Sequence, residues 1–105
     1  TLTSAGNLTV TGWIKSTGRR RAVVTKSGDY TVTVNDEVVR FTTSSTCTML
    51  AATATGQEYT IVADGCTVVV DGAGSETINN ELTQTLTDGD SIIVIDAAAG
   101  KWNIG

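Results

Sequence analysis

Four consecutive β-branched residues, Ile92, Ile93, Val94 and Ile95, stand between an Asp-Gly-Asp cluster at 88–90 and a small polar run at 96–100. Such side chains lose rotamer freedom in a helix and pack well on a pleated surface, so the run reads as a strand. Side chains alternate across a strand, which puts two apolar groups on each face. One face of a small sheet normally meets water. This run therefore asks for a second sheet or a neighbouring chain on its other side. Around it, residues 82–104 read as a β-meander: Leu82 and Leu86, the turn Asp88-Gly89-Asp90, the apolar run, a second turn over 96–100, then Trp102 and Ile104. Asp-Gly supplies the positive φ and the local hydrogen bonding that tight turns need.

A chain of 105 residues makes one domain with a modest core. Its aromatic residues are Trp13, Tyr30, Phe41, Tyr59 and Trp102, so aliphatic side chains must fill most of that core. Threonine takes about a fifth of the positions and, with valine, biases nearly every segment towards strand. Proline and histidine are absent. Glycine therefore carries most of the turn punctuation, and no imidazole serves as base, pH switch or metal ligand. The net charge of −4 argues against nucleic acid and against an anionic membrane surface. No apolar run approaches the roughly 18 residues that span a bilayer. The opening Thr-Leu-Thr reads as the start of a piece excised from a longer protein.

In chain order, residues 1–16 contain a turn at Ala5-Gly6-Asn7 and the alternating Leu8 and Val10, too few large side chains to hold themselves down. They read as a shaft-proximal extended segment, and residues 17–105 as a β-sandwich domain. Tyr30-Thr31-Val32-Thr33-Val34 alternates cleanly, and after Asn35-Asp36 the stretch Glu37-Val38-Val39-Arg40-Phe41-Thr42 returns, which predicts a hairpin. Two more strands flank residues 51–56, a small-residue connection with nothing chemically distinctive in it. Asp64-Gly65, then 71–75, then Asn79-Asn80 punctuate the remaining strands. About ten short strands without a credible helix describe an all-β sandwich or barrel.

Few residues suggest chemistry. Arg19, Arg20 and Arg21 form the one basic run, an anion site or interface on one reading and a solvated strand start on the other. Trp13 and Tyr59 are candidate glycan contacts, whereas Trp102, in a strand two residues before Ile104, reads as core. Asp88 with Asp90, and Asp64 with Asp71, lie in glycine turns, where backbone geometry explains them; the ligand spacing of a calcium loop is lacking. Without histidine there is no ordinary nucleophile triad, and no carboxylate pair stands out for glycoside chemistry. The expectation is no catalytic residue, no metal and no cofactor. Cys47 and Cys66 could bridge but read better as buried free thiols.

The order of Gly28-Asp29-Tyr30, Asp36-Glu37-Val38-Val39, Gly56-Gln57-Glu58-Tyr59, Cys66-Thr67-Val68-Val69-Val70-Asp71-Gly72, Gly89-Asp90-Ser91-Ile92 and Lys101-Trp102-Asn103-Ile104 resembles the terminal domains of tailed-bacteriophage tail fibres, tailspikes and tail needles. Gly6-Asn7-Leu8-Thr9-Val10-Thr11-Gly12 resembles the segments by which such proteins leave their shaft. The resemblance covers most of residues 6–105. It implies an antiparallel β-sandwich of the jelly-roll or tumour-necrosis-factor-like (TNF-like) kind, assembled as a parallel homotrimer. It also implies a non-enzymatic role in trimer registration and in host attachment or penetration. Partners would be other copies of the chain and a bacterial cell-surface glycan or protein, with no nucleic acid and no membrane span. The place would be the virion tail, after assembly in the bacterial cytoplasm. Depolymerase activity in that family belongs to long β-helical regions, which the sequence is not expected to contain. A monomeric secreted carbohydrate-binding module is the alternative, with Trp13 or Tyr59 stacking on sugar, and a glycan-processing enzyme stands third.

Overall fold

The computed structural model describes residues 21–105. It contains ten strands: β1 Val23–Lys26, β2 Tyr30–Thr31, β3 Val38–Phe41, β4 Ser45–Thr48, β5 Glu58–Ala63, β6 Val68–Asp71, β7 Thr77–Ile78, β8 Thr83–Leu86, β9 Ser91–Ala98 and β10 Lys101–Ile104. No helix occurs among the described residues. The strands form a six-stranded sheet, in the order β1-β3-β5-β9-β10-β7, and a four-stranded sheet, β2-β4-β6-β8. The expected all-β, two-sheet architecture is present, while residues 1–16 lie outside the described residues.

How the strands pair differs from expectation. From β1 to β9 the chain changes sheet at every strand, and β1, β3 and β5 pair in parallel in one sheet while β2, β4 and β6 pair in parallel in the other. The first six strands are thus three stacked coils. Val23 lies beside Val38 and Val38 beside Thr60, while Tyr30 lies beside Cys47 and Cys47 beside Val70. Among the described residues antiparallel strand pairing is confined to β6 with β8, β5 with β9, and β9 with β10, with one isolated bridge between Ile78 and Glu81. An antiparallel sandwich is therefore corrected to two mixed sheets, in which the first six strands form a short stack of coils.

The corners explain why. Asp36 accepts hydrogen bonds from the Thr33 amide at 2.8 Å and the Tyr30 hydroxyl at 2.7 Å, and its own amide donates to the Thr33 carbonyl at 3.1 Å. That turn stops β2 after two residues and directs the chain into the opposite sheet, so the alternating stretch 30–34 makes a coil corner and not half a hairpin. Corners on the other side are tied coil to coil. Asp29 accepts from the Thr46 amide at 2.8 Å, and Ser44 Oγ from the Thr67 amide at 3.1 Å. Each side-chain oxygen satisfies a backbone donor of the next coil.

One core lies between the sheets. Val39, Phe41, Tyr59, Ile61, Val94 and Trp102 enter it from the larger sheet, and Cys47, Val68, Val70 and Leu86 from the smaller. Trp102 is core, as its neighbours predicted. Gly72 is buried where an added Cβ would collide with the Glu76 backbone, a close approach that only glycine permits. In β9, Val94 is buried and Ile92 packs against the core, while Ile93 is 36% exposed on the outer face. There it lines up through Thr60 and Val38 with Val23, which is 59% exposed; Arg21 reaches Thr60 in the middle of this row, and Val23 and Ile93 stay open at its ends.

Both cysteines are free and buried, as the compartment argument favours. Burial, with Asp36 adding a smaller contribution, pushes the Cys47 thiol up from 9.0 to about 12. A group whose folded pKa is raised contributes stability that is complete below its unfolded pKa and is lost as pH climbs towards the folded one. Cys47 should therefore resist a thiol reagent at pH 8 in the native protein and react on denaturation, with stability eroding above about pH 9. Rapid native-state labelling of Cys47 would contradict its placement.

Candidate functional site: a two-part groove at the coil edge

The corners that follow β2, β4 and β6 stack along one edge, and the middle one, residues 49–57, is the longest of them. Asp96 explains its shape. In the sequence this residue reads as the start of a turn, yet β9 continues to Ala98 and carries Asp96 on the same face as Val94. Its carboxylate is 2% exposed. It accepts from the Thr53 amide at 3.0 Å, the Ala54 amide at 2.7 Å and the Thr55 hydroxyl at 2.8 Å. Its backbone adds two bonds, Gly56 N–H to Asp96 C=O at 2.9 Å and Asp96 N–H to Gln57 C=O at 2.8 Å.

Desolvation pushes the Asp96 carboxyl up, but the donors from Thr53, Thr55 and Ala54 outweigh it and hold the group below the usual carboxylate range. The loop bends around the charge through Ala54, whose φ of 61° lies in the left-handed region that alanine rarely enters. Glu76 fixes the start of the loop by accepting from the Ala52 amide at 2.8 Å. The stretch that looked chemically plain in sequence is therefore held at both its start and its middle by carboxylate contacts.

Two cavities open beside this loop. One, of about 160 Å³, is bounded by Val34, Leu50, Ala51, Thr53, Thr55, Gln57, Tyr59, Asp96 and Trp102. The other, of about 310 Å³, lies between Arg21, Glu37, Gly56, Gln57 and Glu58. Gln57 borders both, so they adjoin at the start of β5 as an apolar and a polar part of one edge. Trp102 and Tyr59 floor the apolar part, with ring centroids 5.6 Å apart and planes tilted by 53°. The Trp102 indole N–H donates to the Leu50 carbonyl at 3.0 Å, and the Tyr59 hydroxyl to the Thr33 carbonyl at 2.9 Å. Both polar tips are thus satisfied inside the protein.

Tyr59 is fully buried, so the expectation that it offers an exposed ring to a glycan is corrected: it is core and floor. Of the arginines, Arg21 reaches the groove, donating to Thr60 Oγ1 at 2.7 Å and to the Glu37 carbonyl at 3.2 Å. With two glutamates around the same cavity, it is poorly placed to serve a free anion. Arg19, Arg20 and Trp13 lie outside the described residues.

Sequence reading missed Val34, Glu37, Gln57, Glu58 and Asp96. For Asp96 a signal was present, since period-2 alternation from Ile92 through Val94 carries it to a core-facing position, where a carboxylate must find donors. The Asp-Gly-Asp cluster is a turn, as expected: Gly89 has φ of 88°, and Asp90 accepts from the Thr87 amide and hydroxyl, both at 2.9 Å. Among the described residues no acidic, cysteine or histidine cluster could hold a metal, and no helix is long and apolar enough to cross a membrane. No family model matches the chain, and neither a curated protein nor a solved structure proves similar to it.

Proposed function

We propose that the chain is a non-enzymatic terminal domain of a bacteriophage tail fibre, tailspike or tail needle, working as a homotrimer in shaft registration and bacterial-surface attachment. The observation that carries this reading is the unequal finish of the coil stack. Among the described residues, β1 and β2 are the outermost strands at the end where the chain enters, and each presents a free strand edge. At the other end β8 pairs antiparallel with β6, β9 with β5 and β10 with β9, while β7 joins β10 in parallel as the outer strand. A stack of parallel coils at the end where the chain enters, giving way to antiparallel strands at the far end, suits a domain that ends a fibre built by parallel strand addition. The exposed Val23 and Ile93, with the half-buried Val38, give self-association apolar contacts on the outer face.

The groove favours a second reading, a monomeric secreted carbohydrate-binding module. Solution mass separates the two. Light scattering after size exclusion should give three times the chain mass, unchanged by reductant because both thiols are free. A monomer at all concentrations would overturn the tail-domain reading and leave the sugar-binding module in its place.

A further inference from the structure

We propose that the groove divided by Gln57 is a binding site for a neutral saccharide. A methyl-bearing substituent such as an acetamido group would enter the apolar cavity, and ring hydroxyls would meet Arg21, Glu37 and Glu58. This rests on the surface-contact part of the function proposed above and names its ligand class; it does not depend on the trimer.

Four observations converge. The apolar cavity, about 160 Å³, has room for a small substituent and not for a whole drug-sized ligand. Its mouth carries Val34, 68% exposed, beside the half-buried Leu50, so apolar contact is available without an exposed aromatic ring. The polar cavity of about 310 Å³ brings together planar groups with paired polar atoms, which match the spacing of neighbouring hydroxyls on a sugar ring. Much of that capacity is unused. Among the described residues the Glu58 carboxylate has no hydrogen-bond partner, and the Gln57 amide makes one long contact, 3.5 Å to the Val34 carbonyl.

Charge and rigidity narrow the choice. Two carboxylates face a single guanidinium whose donors already reach Thr60 and Glu37, so a sugar acid or phosphate would meet net repulsion, whereas hydroxyl donors would be accepted. The wall formed by 53–57 is held by Asp96 before any ligand arrives, so little ordering remains to be done on binding.

The test is a ¹H–¹⁵N NMR titration of the whole chain with N-acetylglucosamine, glucose and glucuronate. The Trp102 indole N–H is a built-in reporter, since it donates to Leu50 on the cavity wall. N-acetylglucosamine should shift that signal and the amides of 53–58, saturating with a Kd of about 1 mM. Glucose should bind more weakly and glucuronate weakest. Gln57→Ala and Glu58→Gln should each weaken binding about tenfold, a loss of hydrogen bonds worth about 1.4 kcal/mol. Thr85→Ala, on β8 outside the groove, should change nothing. Absence of shifts at 57–58, equal shifts in Gln57→Ala, or preference for glucuronate would overturn the site. A trimer without these shifts would remove the saccharide site and keep the tail-domain reading; a monomer with them would do the reverse.

Discussion

Asp96→Asn should lower the stability of the folded chain by about 3 kcal/mol, within the range for removing one partner from a buried charged hydrogen-bond network. The substitution is nearly isosteric, so cavity formation contributes little. What changes is acceptor capacity. The carboxylate receives the Thr53 and Ala54 amides and the Thr55 hydroxyl. An asparagine has one acceptor oxygen, and its amide group would point two further donors at backbone N–H groups that have nowhere else to turn. Ala54 would then lose what holds its φ of 61°, and residues 53–56 should relax. In thermal unfolding the loss should appear as a fall in Tm of about 10–20 °C. Thr55→Ala, which removes a single donor, should cost about 1 kcal/mol. Equal Tm values for Asp96→Asn and the parent would refute the structural role assigned to the carboxylate.

The same carboxylate gives a pH dependence whose sign is fixed. Its folded pKa lies below the ordinary value of 3.8. The stability it contributes is therefore present above the unfolded pKa and is lost as pH falls from about 4 through the folded pKa. Asp96→Asn has no such proton to bind, so the stability gap between parent and variant should narrow on acidification. A gap constant from pH 6 to pH 2 would sink the linkage.

Much of this was legible in the sequence at the level of strands and turns. Period-2 alternation and Asp-Gly punctuation marked most of the strands, including the hairpin of β9 and β10, and Ile104, two residues along the same strand, marked the Trp102 ring as core. Partner choice was not legible. Alternation around Val32 says which way side chains point, but the destination of the strand depends on Asp36, whose carboxylate folds 33–36 into a corner. Asn35-Asp36 is equally good grammar for a hairpin and for a coil corner. The groove was hidden for a related reason. Val34 comes from one coil, Leu50 and Gln57 from the next, and Trp102 from the closing hairpin, so only the stacking brings them together. Asp96 alone carried a local warning, a carboxylate in register with Val94.

Trp102→Ala should have the largest effect on stability of any single substitution considered, about 4 kcal/mol, in the range for truncating a buried aromatic ring. Trp102 is 1% exposed, the largest fully buried side chain among the described residues, and its ring meets Tyr59 at a tilt of 53°. It lies on β10, whose neighbours are β9 and β7, yet its indole N–H reaches the Leu50 carbonyl in the loop that leaves β4. It therefore fastens the antiparallel end of the fold to the middle coil. Trp102→Phe separates the two contributions. Phenylalanine keeps most of the apolar contact but leaves the Leu50 carbonyl without its donor, so about 2 kcal/mol should be lost, part from the smaller ring and part from the missing bond. Total stabilities of small domains are about 5–15 kcal/mol, so the alanine variant should stand close to its unfolding midpoint in mild urea while the phenylalanine variant remains folded. Circular dichroism in urea checks both. Equal midpoints for the two variants would mean that the ring's bulk adds nothing beyond its hydrogen bond, and the packing of the closing hairpin against the coils would have to be redrawn.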